Sequence, residues 1–262
     1  MMTFILTELS KDCIIMTADS AEIEFGTFRI KPIDKVIHYY KLNIGVSTWG
    51  IATIKGEDIN SWLQNSKSQF HSDVIKGQLV PNKYLRQLAE YLGHKLNTDI
   101  PNGESNLGLH VAGYMEIEGI LRPVVYHVHN HNPDEGLEIE SCKSHNHKNA
   151  MSFVAEENIY DETEPDFHLR NGIYKEFAAY YPEFEKSYIK FLERIKANHS
   201  SLVLPSRDMI RVRAEYAANL VNLVRTAFTL SGLYPVVGMA IKVIAIEPHR
   251  VQRFVLPEFN NQ

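Results

Sequence analysis

The sequence predicts an α+β domain, in which strands and helices gather into separate runs. Three observations lead there. Two short apolar runs flank a polar break near the N-terminus. Strand-like and helix-like segments come in groups instead of alternating. Two long segments carry apolar residues at helical spacing. The first feature is "TFILTELSKDCIIMTADS", residues 3–20, which reads as a β-hairpin. Its first arm, Thr3 to Leu9, has only Thr7 and Glu8 as polar interior residues, and its second, Cys13 to Ala18, carries Ile14 and Ile15. A three-residue loop of Ser10, Lys11 and Asp12 sets Leu9 opposite Cys13 and Thr3 opposite Asp19. Such partners have Cβ atoms about 5 Å apart; a bulge would shift the register by one.

Residues 24–29 read as a weak strand or loop, and 35–47 as a strand, a turn near residues 41–43 and a second strand. A helix is predicted over Asp58 to Phe70, with Ile59, Trp62 and Leu63 on one face. A clearer one covers 82–97: Pro81 stands at its start and Leu85, Leu88, Leu92 and Leu96 form its stripe. Strands follow at 106–116 and 122–130, joined by a turn at Gly119, with a further strand at 150–157. From about 158 to 205 the chain changes character. An acidic, loop-like dozen residues precedes Ile173, Phe177, Tyr180, Phe184, Tyr188, Phe191 and Ile195, which recur at helical spacing. Pro182 starts a second helix there or kinks the first. That aromatic face exceeds what a minimal domain needs and predicts a subunit contact. The longest helix is expected at 207–230, burying Ala217, Leu220, Val221, Val224 and Phe228, and a strand at 240–248 closes the order. The expected organisation is one domain over residues 1–262 with a helical insertion at about 158–205.

Composition narrows the function. The 262 residues are 44% hydrophobic and 23% charged, as in ordinary globular proteins. A net charge of −5 argues against a nucleic-acid surface. Cys13 and Cys142 are the only cysteines, which implies a reducing compartment and no disulfide framework. The N-terminal apolar run stops at Glu8, too short for a signal peptide. No stretch approaches the roughly 20 apolar residues of a membrane helix. A cytoplasmic protein, with neither nucleic acid nor membrane as partner, is expected.

The element order, with Thr3 heading the first strand, resembles the proteasome-type branch of the N-terminal nucleophile (Ntn) hydrolases, and within it the proteasome beta-subunit-like threonine peptidases. Residues 3–20 match that family's opening strand pair without a gap, including Lys11-Asp12 and Ala18-Asp19. Lys35 falls at the spacing of its catalytic lysine. "HVAGYME…RPVVYHV" is similar to its central strands, and "TLSGLYPVVGMAIKVIAI" to its last helix end and following strand. The resemblance implies a four-layer αββα sandwich of two antiparallel sheets. It also implies amide-bond hydrolysis by a threonine peptidase acting on peptides or proteins. A closed homo-oligomer such as a ring, and an AAA-type ATPase partner that feeds it protein, are implied as well. No cofactor is.

Chemistry explains the positions so implied. A threonine hydroxyl needs a base to become a nucleophile. In a first-residue threonine the α-amine can serve, with an ordinary pKa of about 7.7–8.0. An ammonium nearby, here Lys35, disfavours protonation of that amine, and Asp19 would hold Lys35 charged and oriented. Backbone N–H groups at Trp49 and Gly50 would face the developing oxyanion. Ser231, with Gly232, matches the family's late Ser-Gly. The implied catalytic set is therefore Thr3, Asp19, Lys35 and Ser231. Lys35→Ala is expected to abolish activity without unfolding the chain. Met1 and Met2 precede Thr3. Translation from Met2 would give Met-Thr, which methionine aminopeptidases trim, whereas translation from Met1 would leave Met-Met, a poor substrate.

The sequence also departs from the pattern. Cys13 replaces a glycine after Lys11-Asp12, Phe228 replaces an aspartate before Ser231, and Trp49 stands where the oxyanion turn has glycine. Ser152 is a poor match for a helper serine. An alternative is therefore a non-catalytic proteasome-like structural subunit with Thr3 capped. A third reading rests on "YHVHNHNPDEGLEIESCKSHNHKN", residues 126–149. On a strand His127, His129 and His131 point to one face, and such i, i+2 histidines can ligate zinc; a solvated sheet edge is the plainer reading. A His-rich metal-binding protein stays open.

Overall fold

The N-terminal hairpin forms, but one residue tighter than the three-residue loop predicts. In the computed structural model, β1 (Ile5–Leu9) and β2 (Ile14–Asp19) pair with Leu9 opposite Ile14 and Ile5 opposite Ala18. Ser10 explains the shift. Its N–H donates to the Cys13 carbonyl at 3.1 Å, its hydroxyl donates to the same oxygen at 2.8 Å, and the Cys13 N–H donates to Ser10 Oγ at 3.3 Å. Ser10 thus pairs with Cys13 and leaves only Lys11 and Asp12, both exposed, in the loop. The register expectation is corrected accordingly. Phe4, and not Thr3, stands opposite Asp19, whose N–H donates to the Phe4 carbonyl at 3.4 Å.

The structure describes residues 4–24, 29–39, 42–50, 53–75, 84–100, 107–129, 154–161, 167–171, 206–230, 240–248 and 250–256, with single positions at 183, 186, 187, 190 and 194. After the hairpin come β3 (Ala21–Glu24) and β4 (Arg29–Pro32), then β5 (Val36–Tyr39) and β6 (Ile44–Gly50). A small pair, β7 (Thr53–Ile54) and β8 (Glu57–Asp58), leads into α1 (Ile59–Ile75) and α2 (Tyr84–Asp99). The chain continues with β9 (Leu107–Ile117), β10 (Ile120–His129), β11 (Val154–Ile159) and β12 (Phe167–Asn171). It finishes with α3 (Ser206–Leu230), β13 (Ile241–Glu247) and β14 (Arg250–Leu256).

The fold is α+β and its sheets are antiparallel. One five-stranded sheet runs β12-β1-β2-β13-β14 and the other β11-β10-β9-β6-β5, with β3-β4 and β7-β8 as separate two-stranded pieces. Local chemistry places the boundaries. Asp58 caps α1, accepting the Ser61 N–H on Oδ1 at 3.0 Å. Glu118 and Gly119 both take left-handed φ, 54° and 76°, as a two-residue hairpin loop of matching twist requires, so Ile117 pairs with Ile120.

Side-chain alternation along the strands sorts the core into three clusters. Val46, Leu109, Val111 and Tyr126 of the second sheet pack with Trp62 and Leu63 of α1 and Leu88 and Leu92 of α2. Leu6, Ile15, Val243 and Ala245 of the first sheet pack with Ala214, Ala217, Val221 and Val224 of α3. The remaining faces meet each other: Ile5, Ile14, Met16 and Ile244 join Val36, Trp49, Ala112 and Val125. Polar ties reinforce the first cluster. Asp99 at the end of α2 accepts from Trp62 Nε1 at 2.8 Å and Lys55 Nζ at 2.9 Å, and Arg86 of α2 donates to Tyr126 and Glu157.

Two strands of the five-stranded sheets escape the sequence pattern, besides the short pairs β3-β4 and β7-β8. β12 lies inside the stretch expected to be a loop, and β14 follows the expected last strand. Both are sheet edges, where polar residues such as His168, Arg170, Gln252 and Arg253 blur the apolar signal. The aromatic stripe Ile173 to Ile195 lies outside the described residues, as does the Phe228 side chain. Glu183, Lys186, Ser187, Lys190 and Arg194 among those positions are helical and exposed. Among the described residues, no helix is long and apolar enough to cross a membrane.

Cys13 offers a direct check on this packing. Burial pushes its thiol from 9.0 up to about 12. Native protein at pH 8 should resist iodoacetamide at Cys13, and unfolded protein should react there; peptide mapping by mass reads both. Because the unfolded thiol ionises first, this group makes stability fall between about pH 9 and 12. Rapid native labelling of Cys13 would contradict the buried hairpin end.

Candidate functional site

Asp19 ends β2, and Lys35 stands just before β5, so each is delivered by a different sheet. Lys35 Nζ donates to Asp19 Oδ2 at 2.9 Å, with the side chains only 3% and 1% exposed. A charge so deeply buried is tolerated only when paired and hydrogen-bonded. Asp19 meets that need twice, since its Oδ1 also accepts the Phe4 N–H at 3.2 Å. The same carboxylate therefore holds the ammonium and the backbone of the residue that follows Thr3. Neighbouring backbone bonds fix the pair in place. Thr48 N–H donates to the Lys35 carbonyl at 2.9 Å, Ile33 N–H donates to the Ser20 carbonyl at 2.9 Å, and the Ser20 hydroxyl donates to the Ala240 carbonyl before β13. Asp19 and Lys35, the two positions the resemblance implies, are thus brought together. Thr3, Ser231 and Ser152 lie outside the described residues.

Trp49 and Gly50 close β6, paired with Gly108 and Leu107 of β9. Successive N–H groups of a strand face opposite edges. Thr48 N–H donates to the Lys35 carbonyl, and regular alternation from there would turn the Trp49 amide toward β9 and the Gly50 amide back to the Lys35 edge. Gly50 has φ 99°, in the left-handed region that favours glycine. The Trp49 indole is buried over Gly108, where any Cβ would overlap its Nε1, Cε2 and Cζ2 atoms. Glycine at 108 is what admits a tryptophan at 49.

Beside Trp49 the second sheet carries a row of polar residues toward the first. Ser47 of β6 pairs with His110 of β9, His110 with His127 of β10, and His127 with Glu156 of β11. All three histidines, His110, His127 and His129, are buried. Across the sheets, Thr7 Oγ1 of β1 lies 2.8 Å from His110 Nδ1. The His127 ring stands edge-on to His110 at 5.4 Å, beside His129 at 4.2 Å, and 6.3 Å from the Trp49 ring. His129 Nε2 lies 3.2 Å from Glu156 Oε2.

His127 and His129 share a face, as their spacing predicts. They are core residues, however, and not part of a solvated edge. His131 lies outside the described residues. Sequence reasoning missed Thr7, His110 and Glu156. The turn at Glu118-Gly119 held a usable signal, since a two-residue loop there sets His110 opposite His127. Glu156 had none, because a long connection separates its strand from β10 in the sequence and no loop length there predicts a register.

No family model matches the chain, and no curated protein matches it. Solved structures do match. Anbu from Hyphomicrobium sp. strain MC1, a Gly-1 mutant, is similar with TM-score 0.53 and 13% identity, over 99% of this chain and 89% of that one. Anbu (ancestral beta-subunit) from Yersinia bercovieri is similar with TM-score 0.52 and 13% identity, over 98% and 88%. At that identity the likeness concerns the fold alone: a distant relation that supports a proteasome-type fold. The placement among proteasome beta-subunit-like threonine peptidases, drawn from the motifs, is corrected by these findings. Matching motifs in an opening hairpin do not amount to family sequence similarity.

Proposed function

We propose that the chain is an amide-bond hydrolase whose nucleophile is Thr3 once Thr3 is the first residue. The observation that carries this reading is Asp19, which binds Lys35 Nζ with one oxygen and the N–H of Phe4, the residue after Thr3, with the other. A buried ammonium tied through Asp19 to the residue after Thr3 is the kind of neighbour that would keep an α-amine base unprotonated near neutral pH. In the proposed cycle the Thr3 hydroxyl attacks the amide carbonyl and its proton passes to the Thr3 α-amine. The C–N bond then breaks, the ammonium proton goes to the leaving amine, and an ester remains on Thr3. Water, deprotonated by the same amine, releases the acid. We assign the oxyanion to the Gly50 N–H ahead of that of Trp49, because only the former returns to the Lys35 edge. Ser231 is proposed as a further polar partner of the amine.

The proposal includes an αββα layering, with α1 and α2 outside one sheet and α3 outside the other, in one domain; since β12 (Phe167–Asn171) belongs to a sheet, the helical insertion is proposed only for the stretch after it, about 172–205. Peptides or proteins are the proposed substrates. Intact mass of protein made from its native start is the test. A chain beginning at Thr3 with a free amine, cleaving fluorogenic peptides and silenced by Thr3→Ala, is expected. A retained Met2 or an acetylated Thr3 would sink the hydrolase and leave the non-catalytic subunit.

A further inference from the structure

We propose that His127, His129 and Glu156 form a binding site for a divalent ion of the zinc class. Their ligand atoms all lie within 4.8 Å of one another. Three ligands of a tetrahedral ion, bound at about 2.0–2.1 Å, stand roughly 3.3 Å apart. His129 Nε2 and Glu156 Oε2 already have that spacing, at 3.2 Å. The His127 ligand atom, within 4.8 Å of the other two, completes the set by closing up to about 1.5 Å. Two imidazoles and one carboxylate are a donor combination that suits zinc and leaves a fourth position for water.

The surroundings suit a metal better than a plain ion pair. His127 and His129 are buried on neighbouring same-face positions of β10, their rings 4.2 Å apart. An apolar pair would fill that space more cheaply, and two adjacent buried imidazoles demand polar partners. The rings are held in orientation from behind. His110 stands edge-on to His127, and Thr7 of the opposite sheet anchors His110 Nδ1 at 2.8 Å. This contact limits how far the His127 ring can turn. The Glu156 side chain is 41% exposed, so it provides the entrance from the β11 side. A bound ion would tie β10 to β11 next to the Trp49 indole. The site uses none of the residues of the proposed hydrolase and stands or falls without it.

Cobalt and zinc titrations test it. Full-length protein is stripped with EDTA, then titrated with Co2+ alone while the visible d–d absorption is followed. We expect one Co2+ per chain with the intense bands of tetrahedral coordination, bleached by Zn2+, and a melting temperature that rises with Zn2+ concentration. Glu156→Gln, at a half-exposed position, should remove the bands while leaving circular dichroism unchanged. His129→Gln should do the same where it folds. The segment from 131 to 147 contains His131, His145, His147 and Cys142, so a variant lacking those three histidines is the control. The proposal requires its bands to persist. Absence of binding, or binding that survives Glu156→Gln and disappears in the control, would overturn it.

Discussion

Lys35→Met is expected to lower peptide turnover by about 10²–10⁴-fold, the range of a lost acid–base contribution, and also to destabilise the protein. The second effect follows from burial. Removing one partner of a buried ion pair costs about 3–5 kcal/mol, because the other charge is left in a site that water does not reach. Asp19 is 1% exposed, so the expectation that a lysine truncation would spare the fold does not survive. The double variant Asp19→Asn, Lys35→Met separates the two effects. Asparagine keeps the oxygen that accepts the Phe4 N–H, and methionine fills much of the lysine's volume without its charge. A neutral pair of similar shape often matches a buried ion pair in stability. The double variant should therefore regain most of the lost stability in urea titration and remain inactive. If turnover returned with stability, the ammonium would have no chemical role, and the pair would be a structural clasp only.

Gly45→Val should cost about 1–3 kcal/mol, the range for overpacking a filled core. Gly45 lies in β6 where the two sheets meet. A Cβ there would overlap Met16 Sδ and come within 2.8 Å of Ile244 Cδ1 and 2.9 Å of Ile246 Cδ1, all from the first sheet. Three side chains would have to move together, and they sit in the cluster that joins the sheets. Gly113→Ala is the comparison, because its nearest neighbours would be Ile44 Cγ1 at 3.3 Å and the Asn43 carbonyl and Leu85 Cδ1 at 3.4 Å. Thermal melts should rank Gly45→Val well below Gly113→Ala. Equal melting temperatures would mean that the sheets do not approach this closely at Gly45.

Features written in a few adjacent residues were legible in the sequence alone. Leucines at 85, 88, 92 and 96 mark α2 because helical periodicity is local. The same holds for the buried face of α3, and for His127 and His129, which share a face wherever a strand forms. Asp19 and Lys35 were legible as a pair only through the resemblance of the opening hairpin, which implies both positions. Their partners were another matter. The hairpin register turned on Ser10 pairing with Cys13 through backbone and hydroxyl, which shortened the loop and put Phe4 opposite Asp19. The edge strands β12 and β14 needed neighbours before their polar sequences became strands. Nothing in the sequence around Trp49 says that Gly108 opens the space for its indole, or that Glu156, far along the chain from His129, comes beside it. Local periodicity determines which residues can share a face. Burial and pairing depend on which faces meet, and that is decided only when distant strands come together and exclude water.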